Sequence, residues 1–497
     1  MPIRRIYILS LFLYLLYSLW CFIHFGLEIT DSDQSLMWQA ALDISQGKVY
    51  VPLFYGQAYN SMAEAWLAAP LVWAGVPACR AVPLITWLMG ITPVLIAQWM
   101  AVRRSKYGAA VFILLFAALL PDSFVQTCQM SRGFVQGVFF TSIGAGILLA
   151  GRKSHWIAGT GVFFILFGLG QNPNAIFLLA PVVFSTNLRR ISWKQGVAGI
   201  CGLLLAVSFF VFAQYWYRLH PQNLIHVKSG LFDWSGQILI SQLPKSNAIL
   251  RTVFPGGVFG LVILLALSLW WFAGQRRTQL AFIFLIIAVF FSMGSTKTTE
   301  ASDNVFFGYS RFYLALPLAL LFLVSGSNRS IKIPNIPFYL LALPVFLFFA
   351  FRSFQFRTHS NLQEINKAYI PLMVEKISTV KSDCEKAKDS AQKYGAKGIV
   401  VGGHYLLELF SCGCNALVPD YPAVMRPSYE RRPWLYKDYE NLIPGKVIFL
   451  ELWQKDSAVF KKFTGIKRDI RGAAFILETG TLNFPKVADS LVGKKAH

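Results

Sequence analysis

Apolar runs of about 15 to 22 residues recur through the first 351 residues with short polar breaks between them, which leaves the chain few ways to fold. They lie at roughly 6–27, 81–102, 107–121, 134–151, 156–170, 175–188, 196–217, 254–273, 279–294, 309–325 and 334–351. Each is near the length that a helix needs to cross hydrocarbon, where backbone polar groups must be satisfied within the segment. The third, fifth and sixth are the shortest. Composition agrees, because a chain of 497 residues that is 55% hydrophobic and 14% charged has more apolar surface than a soluble core could hide. The pattern predicts a polytopic α-helical membrane protein with about 11 transmembrane helices.

Charge placement gives an independent test. With the amino terminus in the cytoplasm, the segments on that side hold Arg4, Arg5, Arg103, Arg104, Lys106, Arg152, Lys153, Arg189, Arg190, Lys194, Arg276, Arg277, Arg329 and Lys332, and no Asp or Glu. The acids of residues 1–356 all fall on the other side: Glu28, Asp31, Asp33, Asp43, Glu64, Asp122, Asp233, Glu300 and Asp303. Basic loops stay inside, so this orientation is the expected one, and an odd number of spans leaves the carboxyl-terminal part outside. The net charge of +22 is therefore largely topological and does not point to nucleic acid. The first run follows Arg4 and Arg5 as a signal peptide would. It is too long for one, however, and ends in Phe25-Gly26-Leu27-Glu28 rather than a small-residue cleavage site, so it reads as an uncleaved helix.

At about residue 357 the long apolar runs stop, and 357–497 reads as a soluble extracytoplasmic α/β domain behind a transmembrane body of residues 1–356. A charged helix-like stretch, Ile370 to Tyr394, leads to a strand-like GIVVGG at 398–403. A short helix from Tyr405 to Phe410, a strand near Ala416–Pro419, a strand VIFLELW at 447–453, a short helix and a last strand AAFILE at 473–478 follow. Cys384, Cys412 and Cys414 lie in this domain, where one disulfide or free thiols both fit, whereas no second ligand pair argues for metal. Cys21, Cys79, Cys128 and Cys201 sit in or beside spans as small packing residues.

The first outer loop, residues 28–70, carries the densest chemistry. Thr30-Asp31-Ser32-Asp33-Gln34 opens it, placing two carboxylates two residues apart at the lip of a membrane protein. A helix from about Ser35 to Gln46, with Leu36, Met37, Ala40, Ala41 and Ile44 at helical spacing, reads as amphipathic and lying on the outer leaflet, capped by Asp33 or Ser32. A second short helix, Ser61 to Ala69, carries Glu64 and Trp66. On spacing alone the aspartates are equally a helix cap with a solvated loop or a catalytic pair.

The stretch DSDQSLMWQAALDISQGKVYVPLFYGQAYNSMAEAWLAAPL resembles the first extracytoplasmic loop of GT-C type membrane glycosyltransferases. The likeness is to bacterial members of the protein-mannosyltransferase and aminoarabinose-transferase group. There an Asp-Glu pair opens the loop and a Tyr-Gly-Gln-x-Tyr-x-Gly-Ser-x-Glu-Ala segment follows. Gln34 stands where the family has Glu, which weakens a two-carboxylate metal site, and Asn60 stands where it has Gly. The topology extends the resemblance to most of the chain.

The resemblance implies transfer of a hexosyl or pentosyl unit from a polyprenyl-phosphate carrier to an acceptor on the outer face, with inversion. Asp33 matches the catalytic Asp, and Asp31 is a neighbour that shares the work or stands by. A base must take the acceptor proton, while the lipid phosphate leaves as an anion and needs cations rather than an acid. Arg132, Lys297 and Arg311 are the outside cations expected to hold that phosphate, each also readable as an interfacial residue snorkelling to headgroups. Gln57, Tyr59 and Glu64 belong to the resembling motif and are expected at the substrate or in the loop's frame. No metal ligand set is assigned, and a divalent cation is the one cofactor left open. The expected partners are a polyprenyl-phosphate-sugar donor, a glycan, lipid or protein acceptor, and membrane lipids. The expected setting is a bacterial inner membrane with the carboxyl-terminal domain in the periplasm, facing the cell envelope. His24, His226 and His404 are isolated and read as packing or surface residues, and Asn172-Pro173-Asn174 as a turn. A transporter or flippase of lipid-linked sugars is the rival reading. It calls for midplane charges or broken helices in matched halves, which the sequence lacks. A non-catalytic envelope scaffold is a third.

Overall fold

The computed structural model describes residues 2–58, 60–150, 154–185, 192–226, 233–271, 275–299, 309–326, 337–360, 374–402, 409–425, 441–451, 468–469, 473–478 and 485–487. It is mostly helical. In chain order the first part consists of α1 (Pro2–Cys21), β1 (Ile29–Asp31), α2 (Ser32–Ser45), β2 (Gly56–Gln57), α3 (Ala63–Trp73), α4 (Ala78–Arg103) and α5 (Tyr107–Leu119). Then come α6 (Asp122–Thr127), α7 (Phe134–Leu149), α8 (His155–Gln171), α9 (Leu179–Ser185), α10 (Trp193–Leu219) and β3 (Leu224–His226). Further helices include Gly236–Gln242, Ser246–Arg251, Gly257–Trp271, Arg276–Ser292, Tyr309–Phe312, Ala315–Gly326 and Phe338–His359. Among the described residues, four helical stretches are long and apolar enough to cross a membrane: Ile3–Gly26, Ala78–Arg103, Trp193–Leu219 and Phe338–His359. Shorter apolar helices stand at the runs 107–121, 134–151, 156–170, 175–188 and 309–325.

Small residues let the helices that back the site approach closely. A methyl group added to Gly144 of α7 would come within 2.5 Å of the Gly161 carbonyl oxygen of α8, and one added to Gly202 of α10 within 2.3 Å of the Gly159 carbonyl oxygen. Packing of this kind replaces the hydrophobic drive that helices lack in lipid. Asn172 begins the turn expected at 172–174, its side chain accepting the Asn174 amide as the chain enters the 3-10 segment Pro173–Leu178.

Beyond residue 373, β4 (Val374–Lys376) leads directly into the helix Ile377–Tyr394, which ends at Gly395 with φ +65°. A five-stranded mixed sheet follows, in the order β6 (Ala423–Met425), β5 (Gly398–Gly402), β7 (Lys446–Glu451), β9 (Ala473–Glu478), β8 (Arg468–Asp469). β5 runs parallel to β6 and β7, while β9 is antiparallel to β7 and β8. The strand expected near Ala416–Pro419 is instead the helical turn Cys414–Leu417, with the strand displaced to Ala423–Met425. The physical reason is the disulfide between Cys384 and Cys414, which holds that turn against the long helix. Most of the helix expected at 405–410, and the one expected between the last two strands, fall outside the described residues.

The first outer helix also differs from expectation. α2 does not lie on a leaflet, because nine of its residues are buried, Gln34, Ser35, Gln39 and Asp43 among them. One hydrophobic cluster joins its Leu36, Met37, Trp38, Ala40 and Ala41 to Cys384, Leu409, Cys412 and Leu417, so its second face is covered by the carboxyl-terminal part of the chain. Asn415 donates to Gln39 Oε1 at 3.1 Å across this contact.

Candidate active site

Extended backbone at β1 delivers the two aspartates. β1 pairs antiparallel with β4, Asp31 opposite Val374, and the Ile377 amide donates to the Glu28 carbonyl at 2.9 Å. The chain then turns into α2, and the cap is Asp31 rather than Asp33 or Ser32. Its Oδ1 accepts the Gln34 amide at 2.9 Å, and its backbone is extended at φ −141°. Asp33 falls in the first helical turn, where a carboxylate is favoured by the helix dipole.

Arg132, 99 residues further on, reaches both carboxylates. Its Nη1 lies 3.2 Å from Asp31 Oδ2, its Nε donates to Asp33 Oδ2 at 3.0 Å, and its Nη2 pairs with the same Asp33 oxygen. The side chains of Asp31 and Arg132 are 7% and 9% exposed, whereas that of Asp33 is 35% exposed, so Asp33 is the carboxylate that another molecule can reach. Burial pushes the Asp31 carboxyl up to about 6, with the Arg132 guanidinium pulling the other way and the Asp33 charge adding to the rise.

Arg311 joins the same group. The guanidinium carbons of Arg132 and Arg311 each lie 5.3 Å from the centre of the Phe134 ring, and Arg311 also stacks on Phe312 at 5.1 Å. The Arg311 carbonyl accepts from Asn174 Nδ2 at 2.8 Å, which ties its short helix, Tyr309–Phe312, to the turn at 172–174. Glu64 lies behind this group, fully buried at the start of α3. One of its oxygens accepts the Gly133 amide at 3.2 Å and the other accepts from Gln136 Nε2.

The remaining expected residues stand elsewhere. Gln57 pairs with His226 where β2 and β3 run parallel. Lys297 lies on the turn Thr296–Thr299, its side chain outside the described residues, and Tyr59 and His404 are outside them altogether. His24 stacks on Trp20 with ring centres 3.9 Å apart, a packing role. Gln34 is buried and offers no second carboxylate, and no metal-holding group of His, Cys, Asp and Glu occurs among the described residues.

Reading by spacing missed Ser61, Phe134, Gln136 and the strand β4. Gln136 could have been noticed as a lone amide near the start of an otherwise apolar run. β4 carries no motif, and its signal is only its pairing.

An apolar cavity of about 560 Å³ opens between residues 49–52, α3, α7, α8 and α10, its wall built from Trp66, Phe140, Phe167, Phe209, Phe212 and Trp216. None of the expected site residues lines it, but Ser61 does, and Ser61 bonds to Gln136 beside Glu64.

No family model matches the chain, and no curated protein matches it in sequence. Among solved structures it is similar to ArnT from Cupriavidus metallidurans in the apo state, with a TM-score of 0.59 and 12% identity over 98% of this chain and 99% of that one. It is also similar to ArnT from the same organism bound to undecaprenyl phosphate, with a TM-score of 0.59 and 11% identity over 94% of this chain and 97% of that one. The chain thus shares, over nearly its whole length, the fold of these two ArnT structures.

Proposed function

We propose that this protein is an integral-membrane glycosyltransferase that moves a monosaccharide from a polyprenyl phosphate to a hydroxyl acceptor on the outer face of the membrane, with inversion at the anomeric carbon. The observation that carries the reading is the clamp of Arg132 on Asp31 and Asp33, with Arg311 sharing the Phe134 ring, in a fold whose solved example holds undecaprenyl phosphate. In the reaction the acceptor oxygen attacks the anomeric carbon as Asp33 takes its proton. The bond from that carbon to the phosphate oxygen breaks, and the polyprenyl phosphate leaves as an anion whose charge Arg132 and Arg311 offset. Asp31 holds Arg132 in place and caps α2, so it works through its neighbours rather than on the substrate.

In this reading about 11 helices span the membrane, the amino terminus is cytoplasmic, and residues 357–497 form a periplasmic domain over the site. The aromatic cavity beside Ser61 takes the isoprenoid chain of the donor. The test is transfer from undecaprenyl-phosphate-linked monosaccharides by the purified protein in lipid nanodiscs. Transfer that survives Asp33→Asn at the wild-type rate overturns the reading.

A further inference from the structure

A carboxyl group buried without a cation is costly, and a chain that keeps one gains something from its position. Glu64 is 0% exposed, and its two bonding partners come from one short segment, the Gly133 amide and the Gln136 side chain. Gln136 is itself anchored. Its Oε1 accepts the Ser61 hydroxyl at 2.6 Å, its Nε2 donates to the Ser61 carbonyl at 3.0 Å, and the Ser61 amide donates to Gln171 Oε1 at 3.0 Å. Gly133 has φ +79°, a left-handed turn that favours glycine, so the direction of its N–H is set by the turn. Arg132 is the residue just before that turn. The guanidinium that meets Asp31 and Asp33 therefore projects from a backbone held from behind by Glu64.

Charge at Glu64 bears on the same bonds. Burial pushes its carboxyl up to about 7, opposed by the bonds from Gln136 and Gly133. Both neighbours are donors, so an apolar residue of the same size would strand the Gly133 amide N–H and one of the two N–H groups of Gln136 Nε2, the other keeping the Ser61 carbonyl. Glutamine keeps a carbonyl acceptor for Gly133, the bond that the positioning needs, and loses only the acceptor for Gln136, whose Nε2 retains the Ser61 carbonyl.

We propose that Glu64 is a positioning residue: through the Gly133 amide it sets the Arg132 guanidinium against Asp31 and Asp33, and it does so without touching substrate. This rests on the reading of the clamp as the phosphate-facing site. A double-mutant cycle tests it, with undecaprenyl phosphate as the probe ligand and binding measured on the full-length protein in nanodiscs. Arg132→Ala weakens binding at least about tenfold, the loss of one charge-assisted contact. Glu64→Leu weakens it by about the same factor, Glu64→Gln stays within about threefold of wild type, and Glu64→Leu added to Arg132→Ala costs nothing further. Additive losses in the cycle overturn the proposal, because they assign Glu64 a separate structural effect. Hydrogen exchange read on the same proteins keeps the two claims apart. Glu64→Leu is expected to raise exchange in residues 130–136 and 30–36 together, and a rise confined to 61–66 overturns positioning. Wild-type binding by Arg132→Ala overturns the phosphate reading alone, and the exchange result then decides the positioning claim.

Discussion

The segment from Asp122 to Gly133 carries an aspartate–arginine pair at each end, and the two pairs are finished differently. At the first end, Arg352 gives Nε to the Ala118 carbonyl at 2.7 Å. Its Nη2 goes to the Leu120 carbonyl at 2.8 Å and to Asp122 Oδ1 at 2.9 Å, and its Nη1 goes to Gln355. The other Asp122 oxygen meets His359 Nδ1 at 2.6 Å. Each carboxylate oxygen has a partner and every guanidinium nitrogen is engaged, so this pair ties the start of α6 to the helix Phe338–His359. At the second end one guanidinium is shared between two carboxylates, and the outer one keeps about a third of its side chain exposed. Residue type does not separate a staple from a site. What separates them is the surface left open, since the Asp33 side chain is 35% exposed and that of Asp122 10%.

That contrast breaks first at Asp33. Asp33→Asn should lower sugar transfer about 10²–10⁴-fold, the range of a lost general base, while the thermal midpoint of the purified protein stays near wild type. Retained transfer would place the chemistry elsewhere. At the closed pair the order reverses. Arg352→Ala leaves Asp122 in a buried place without its guanidinium and should cost about 3–5 kcal/mol of stability, read as a lower unfolding midpoint in detergent, with transfer per folded molecule unchanged.

The open pair also carries a proton linkage of its own. The folded-state value of Asp31, about 6, lies above its ordinary value of 3.8, so the native protein binds a proton that the unfolded chain releases. The stability this contributes is in place below about 4 and is lost as pH rises through about 6. A scan of the midpoint from pH 4 to 7 should show that fall in the wild type and a flatter profile in Asp31→Asn. The smallest effect belongs to the ring that the open pair leans on. Phe134→Leu removes stacking for Arg132 and Arg311 and should weaken undecaprenyl phosphate binding by about 1 kcal/mol, measurable by titration.

Hydropathy alone locates most of the apolar helices, because lipid imposes a length on each apolar run. The Asp31–Asp33 loop and Arg132 stand out in the sequence as charged residues between apolar runs. Their mutual contact does not, since 99 residues separate Arg132 from Asp33 and no local pattern encodes the distance. The cap at Asp31 was within reach of the sequence: Asp31 stands three residues before Gln34, the spacing of a capping box, and Asp33 drew attention away from it. The burial of α2 was not readable. Its apolar stripe predicts one covered face, and the second cover arrives from residues 409–417, beyond the reach of helical periodicity.

The pairing of β1 with β4 has a consequence for the order in which the protein matures. Strand Ile29–Asp31 is among the earliest parts of the chain to be made, and its partner, Val374–Lys376, comes more than 340 residues later. A ribosome adding roughly 5–20 residues per second leaves the aspartate loop without its partner strand for tens of seconds. The transmembrane helices before residue 360 are all made before the site is framed. The strand pairing that holds the aspartate loop is thereby deferred to near the end of biosynthesis, and a chain truncated before residue 374 would carry both aspartates without the strand that frames them.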